Sequence, residues 1–126
     1  MSYDALIVEQ VYNAYELLGC ATATLSRTVL GPVDPGTGEP TSETTQTCPT
    51  RFKFGSTSIK GLGYKFGEGL IKGGELEIII PAMNLAFAPE AGDRITAKGV
   101  LYSVVKVAPS FAPGGAEVEF SMLVKK

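Results

Sequence analysis

The chain has 126 residues, 44% of them apolar and 19% charged, the composition of an ordinary folded domain, which excludes a disordered or fibrous chain. At this length one core buries roughly 65 to 70% of the surface that the unfolded chain exposes, so a single domain over 1–126, without linker or staples, is expected. A net charge of −2 is too small for bulk attraction to drive binding to a polyanion.

Charge is unevenly distributed along the chain. Residues 1–50 carry a net −5, residues 51–73 a net +4 and residues 74–126 a net −1, so a basic band lies between acidic neighbours. The cysteines, Cys20 and Cys48, make no disulfide framework, and Asp4 and Glu9 interrupt the apolar N-terminus. The expectation is a reducing compartment and no signal peptide. The longest apolar run, Leu76 to Ala88, contains Glu77 and Asn84 and is too short to cross a bilayer as a helix; no membrane role is expected.

Asp4 to Leu18 holds the one convincing helical period: Ile7, Val11, Ala14 or Tyr15, and Leu18 recur at three- and four-residue spacing, a stripe that packs on a sheet or covers a neighbouring subunit. Ser2 or Asp4 would cap its start, and Gly19 would end it in the left-handed conformation. Ala21 to Leu30 reads as a strand. Gly31 to Glu43 then breaks every pattern: three prolines, three glycines and almost nothing apolar predict a long, flexible loop projecting into solvent that cannot ladder. A loop of this length is uncommon in a compact domain unless it is used. It is either an excursion without a role or a segment that orders when a partner arrives.

Thr45 to Phe54 resumes an extended pattern, with Phe52 and Phe54 on one side and Arg51 and Lys53 on the other. Pro49 places this strand at an edge or a bulge. Gly55 to Gly74, rich in glycine and basic, reads as an irregular segment anchored by Tyr64, Phe66, Leu70 and Ile71. Glu75 to Pro81 is a strand, its Ile78-Ile79-Ile80 run buried on at least one face. Residues 82–89 cross to a hairpin: a turn at Pro89 to Asp93, a short strand over Arg94 to Ala97, a reversal at Lys98-Gly99, and a β-branched strand through Val107. After Pro113-Gly114-Gly115 a last strand runs from Ala116 to Val124. In it Val118, Phe120, Met122 and Val124 alternate with Glu117, Glu119 and Ser121, predicting one buried and one wet face. Residues 75–126 are therefore an antiparallel meander. The fold class is mainly β: an antiparallel barrel or sandwich with one N-terminal helix and a long projecting loop.

Chemistry is hard to build from these residues. The chain has no histidine, so the common general base and the common metal ligand are both missing. Neither cysteine has a partner at zinc spacing, and each reads as a small apolar residue. Gly61 to Gly69 has the outline of a phosphate loop, but Phe66 stands where the dinucleotide fingerprint needs glycine, no Gly-Lys-Ser/Thr occurs, and no helix is expected to follow. Glu117 and Glu119 share a strand face and read as solvated surface. Asp93 is placed to bond nearby amides and Arg94 to pair with an acid. Arg51, Lys53, Lys60, Lys65 and Lys72, interleaved with Phe52, Phe54, Tyr64 and Phe66, have the outline of a platform for single-stranded nucleic acid or a small ligand, although such a band is more often a solvated face. No catalytic residue, cofactor site or metal site is assigned, and the chain is read as not an enzyme.

One ordered series of motifs carries further. Gly69-Leu70-Ile71-Lys72-Gly73-Gly74-Glu75, Ile78-Ile79-Ile80-Pro81-Ala82, Pro89-Glu90-Ala91-Gly92-Asp93-Arg94-Ile95, Gly99 to Pro109 (with Gly99-Val100-Leu101-Tyr102-Ser103-Val104-Val105) and Ala112-Pro113-Gly114-Gly115 follow one another before the final strand. Over residues 69–126 this series resembles the small head–tail connector, or neck, proteins of tailed bacteriophages and prophages. The N-terminal helix and the long early loop suit the group, whereas residues 55–68 are richer in glycine and lysine than its pattern. The resemblance implies a β-barrel or sandwich protein, monomeric when free, that forms a homo-oligomeric ring at the portal vertex and joins capsid to tail. It also implies localisation to the virion, and to the host cytoplasm during assembly, with portal or head and tail proteins as partners and no catalytic residues. It leaves head-completion, tail-completion and minor tail roles open. By position, the docking loop would be Gly31, Pro32, Asp34, Pro35, Gly36, Gly38, Glu39 and Pro40. Arg51, Lys53, Lys60, Lys65 and Lys72 would face either DNA in the channel, without sequence specificity, or an acidic neighbouring subunit.

Overall fold

The structure, a computed structural model, describes residues 3–39, 42–55, 59–67 and 73–126, with the backbone alone described at 59–61 and 64. Its elements are α1 (Tyr3–Leu17), β1 (Thr22–Leu30), β2 (Glu43–Arg51), β3 (Lys53–Phe54), α2 (Ile59–Phe66), β4 (Leu76–Pro81), β5 (Arg94–Ala97), β6 (Val100–Phe111) and β7 (Glu117–Lys125). The strands form one antiparallel sheet in the order β2-β1-β5-β6-β7-β4-β3.

Arg51 and Lys53 belong to strands at opposite ends of that order, yet only Phe52 separates them. A flat sheet of this many strands would be about 29 Å across, while two residues reach at most about 7 Å. The sheet must therefore roll up, with the β2–β3 segment as its seam, although the ladder itself is not closed. Rolling turns one face inward. Leu25, Ile78, Ile80, Ile95, Ala97, Met122 and Val124 meet there, fully buried, with Cys48 and Phe52 from the seam. The expectation of a mainly β, antiparallel fold with an N-terminal helix is met.

The hairpin grammar is realised closely. Lys98 and Gly99 both take positive φ, 51° and 76°, as a two-residue turn matched to strand twist requires. Pro49 lies on an edge strand, as expected. The long strand β6 continues to Phe111 and carries a bulge between Val104 and Lys106. The extra residue resets the alternation, so Val104 and Val107 both reach the core while Val105 and Ala108 face outward. Gly19, at φ 66°, ends α1: its amide bonds to the Glu16 carbonyl at 3.1 Å and the Cys20 amide to the Tyr15 carbonyl at 3.0 Å, the paired closure of a Schellman end.

Four expectations are corrected. First, the outer face of β7 is wet only towards its ends: Glu117 and Lys125 are exposed, but Ser121 and Leu123 are buried there as Met122 and Val124 are on the inner side. The second cover is α2, whose Leu62 and Phe66 pack on Leu123 with Val105 and Ala108. Second, 59–66 is a helix and not an irregular segment. Gly61 and Gly63 mask it, since each glycine weakens a helix by about 1 kcal/mol, and the i, i+4 pair of Leu62 and Phe66 restores it through packing. Phe66 is the anchor expected of it; the Tyr64 side chain, Leu70 and Ile71 lie outside what is described. Third, Asp4 does not cap α1. Its carboxylate accepts from the Gly114 and Ala116 amides at 2.9 and 3.0 Å, tying the helix to the β6–β7 turn, and a Cβ on Gly114 would stand 2.5 Å from it. The Ser2 cap lies outside the described residues. Fourth, the stretch 31–43 does ladder: Glu43 pairs with Leu30 inside the strands, and two further backbone bonds cross the loop.

Candidate docking surface

β1 and β2 stay paired from Thr22 and Arg51 out to Leu30 and Glu43, but β5 accompanies β1 only from Ala23 to Ser26. Beyond Ser26 the hairpin leaves the sheet as a two-stranded arm. Its residues are mostly β-branched, Thr28, Val29, Thr44, Thr45 and Thr47, which suits an extended ribbon without burial. All are exposed, as are Leu30 and Val33, at 58% and 61%.

The tip is built by turn chemistry. The Gly31 amide bonds to the Ser42 carbonyl at 2.7 Å, and the Asp34 amide to the Glu39 carbonyl at 2.7 Å. The Asp34 side chain accepts from the Gly36 amide at 2.7 Å, its carbonyl accepts from the Gly38 amide at 2.8 Å, and Gly38 supplies the positive φ of 74° that reverses the chain. Of the residues expected in a docking loop, Gly31, Pro32, Asp34, Pro35, Gly36, Gly38 and Glu39 thus sit at or near the arm's end; Pro40 lies outside the described residues. Between Thr28 and Thr50 the chain has Asp34, Glu39 and Glu43 and no base, so the arm is uniformly acidic.

The root is held by a residue that the sequence reading passed over as one more strand position. Arg27 donates from Nε to Asp93 Oδ1 at 2.8 Å and from Nη2 to Asp93 Oδ2 at 2.7 Å, and Nη2 also reaches the Ala88 carbonyl at 2.7 Å. The guanidinium lies 4.4 Å over the Phe87 ring. Asp93 is 4% exposed and also accepts from the Glu90 amide, as the turn reading expected. Arg94, expected to find an acid, is exposed, and Arg27 is the partner of Asp93 instead. The Asp93 hydrogen bond, with the nearby carboxylates, raises the Arg27 pKa against the opposing effect of burial.

The described members of the basic band are paired within the chain. Arg51 donates to the Cys20 carbonyl at 2.6 Å; Lys53 lies 3.4 Å from Glu119 and over the Tyr15 ring; Lys65 lies 2.5 Å from the buried Glu77. The side chain of Lys60, and Lys72 altogether, lie outside the described residues. The aromatic platform is not assembled either: Phe52 and Phe66 are 3% and 1% exposed, while Phe54 faces solvent, edge-on to Phe52 at 5.1 Å. Core packing claimed the rings because alternation around Phe52 and the α2 stripe both point inward.

Glu119 is a further correction, since it is not solvated surface. It accepts a short hydrogen bond from the Tyr15 hydroxyl and pairs with Lys53, so β7, β3 and α1 are joined at one point. Burial, then the hydrogen bond to this carboxylate and its charge, push the Tyr15 pKa upward. Beside this knot is an apolar cleft of about 200 Å³ lined by Val11, Ala14, Leu18 and the half-buried Cys20. Of the expected helix stripe, Tyr15 is buried and Ile7 and Val11 half-buried, while Leu18, at 79% exposure, and its neighbour Leu17, at 88%, are left uncovered.

Among the described residues no group of three or more acidic or thiol ligands could hold a metal ion, and no helix is long and apolar enough to cross a membrane. No family model matches the chain, and no curated protein is significantly similar to it.

Proposed function

We propose that this chain is a structural protein of a tailed bacteriophage or prophage virion: a head–tail connector that oligomerises into a ring at the portal vertex and joins the capsid to the tail. The observation that carries the reading is the clamped arm. A two-stranded ribbon is marginal by itself in water, yet this one ends in uncovered Leu30 and Val33 and is fixed at its base by a bidentate Arg27–Asp93 pair. Such an arm holds an apolar, acidic end at a set angle for a partner to grip. Leu17 and Leu18 at the end of α1 are a second uncovered apolar patch, suited to a neighbouring subunit. Lys53 and Lys65 are paired within the chain, and the arm's own Asp34, Glu39 and Glu43 give its end a single sign of charge that can steer assembly. In this reading the chain acts by being held between head and tail proteins and catalyses nothing.

The test is made in the virus or prophage that encodes the chain. Replacing residues 31–42 by an Asn-Gly turn keeps the rolled sheet and removes the arm's end. DNA-filled heads and separate tails in electron micrographs, as expected, would match those from a strain lacking the chain. Normal yields of joined, infectious particles from the shortened chain would overturn the reading.

A further inference from the structure

We infer that the arm is the joint between copies: β2 of one subunit adds to β1 of the next, so that the arms of a ring close into a continuous antiparallel tube. The inference rests on the connector reading and names the surface that would build its ring.

Two backbone bonds set the phase of the hairpin. The Gly31 amide bonds to the Ser42 carbonyl and the Phe52 amide to the Ala21 carbonyl, each directly across the ladder. Hydrogen-bonded pairs therefore fall at Val29 with Thr44, Arg27 with Gln46, Leu25 with Cys48 and Ala23 with Thr50. The alternate residues turn their N–H and C=O outward. On β1, Thr24 and Ser26 spend theirs on β5, whereas Thr28 and Leu30 have no ladder partner among the described residues. On β2 the outward row is Glu43, Thr45, Thr47 and Pro49, and Pro49 fits there because its missing N–H would have pointed away from β1.

The arm thus presents an open ladder on each side over the same length. Two copies side by side with arms pointing the same way bring the returning strand β2 against the outgoing strand β1 of the neighbour, so the new pair is antiparallel without any rearrangement. Thr28 and Leu30 offer an N–H and a C=O each, and Glu43, Thr45 and Thr47 can answer them. The contact is head-to-tail, the kind that closes into a ring when the rotation allows. Space is present: the open side of β1 borders a polar cleft of about 500 Å³ between Thr28 and the 90–94 turn. The open stretch of β1 at Thr28 and Leu30 carries neither lysine nor proline, although unprotected edges are what soluble proteins usually avoid.

The test uses the full chain carrying Cys20→Ser, purified and concentrated, and the same chain added to DNA-filled heads. Thr28→Cys chains are mixed with chains carrying one added cysteine at 43, 45 or 47, beside the buried Cys48, and then oxidised. A cross-linked dimer is expected in at least one mixture and in no single variant alone. Thr45→Pro, which removes an outward amide and leaves the β1–β2 ladder intact, should abolish oligomers in native mass spectrometry without lowering the melting temperature. Oligomers that neither cross-link in any mixture nor respond to Thr45→Pro overturn this joint while leaving the connector reading standing. A Thr45→Cys chain that cross-links to itself shows a two-fold pairing and overturns the tube, and protection of the edge only by a different protein overturns self-pairing. Monomers alone, in solution and on heads, overturn both.

Discussion

Arg27 and Asp93 are 66 residues apart in sequence and meet through two parallel hydrogen bonds of 2.8 and 2.7 Å, at the point where β1 leaves the company of β5. The pair fixes the arm to the turn that begins the C-terminal hairpin. Asp93→Ala strands a guanidinium that is 22% exposed and removes the acceptor for the Glu90 amide. The expected loss is about 2 to 3 kcal/mol by urea denaturation, with hydrogen exchange quickening first at residues 27–30. Asp93→Asn keeps an amide acceptor and should cost less.

Gly55 faces Glu77 so closely that a Cβ would stand 2.0 Å from Oε1 and 2.6 Å from Cδ. Glu77 is 4% exposed and held by Lys65, so it has little freedom to withdraw. Gly55→Ala should destabilise by about 1 to 3 kcal/mol, and adding Glu77→Ala should recover part of that loss. A neutral effect of the single substitution would show that the seam is looser than its geometry.

Tyr15 gives the chain an alkaline dependence of definite sign. Its hydroxyl is held neutral by burial and by Glu119, so the folded pKa lies above the ordinary value of 10.0. The unfolded chain therefore releases this proton first as pH rises. Stability from the group is complete below about pH 10 and declines above it. The stability advantage of the wild type over Tyr15→Phe, followed by denaturant titration, should be constant near neutrality and shrink above pH 10.

The second helix should depend on packing rather than on its own propensity. Leu62→Ala opens a void under Leu123 and Val105 and should cost about 2 to 4 kcal/mol. Amides of 59–66 should exchange well before those of β7. If that segment exchanges together with β7 in both proteins, the helix is part of the sheet's cooperative unit.

What the chain determined by itself was local. The Lys98-Gly99 reversal, the Gly19 helix end, the Pro49 edge and the alternation of Phe120, Met122 and Val124 all follow from backbone sterics and period, which act over a few residues. The projecting loop was visible as proline and glycine where almost nothing apolar could be buried, but its pairing into a two-stranded arm was not. What only the tertiary structure decided was long-range. That Arg51 and Lys53 end up on opposite edges, that Arg27 rather than Arg94 serves Asp93, that Glu119 is claimed by Tyr15, and that a helix with two glycines survives on Leu123 all depend on which strands meet once the sheet rolls. Charge and ring patterns along the chain do not record that choice, because a side chain's partner is set by burial and by the geometry of the rolled sheet. Of the basic band, Lys53 and Lys65 are paired with acids brought to them from elsewhere in the fold.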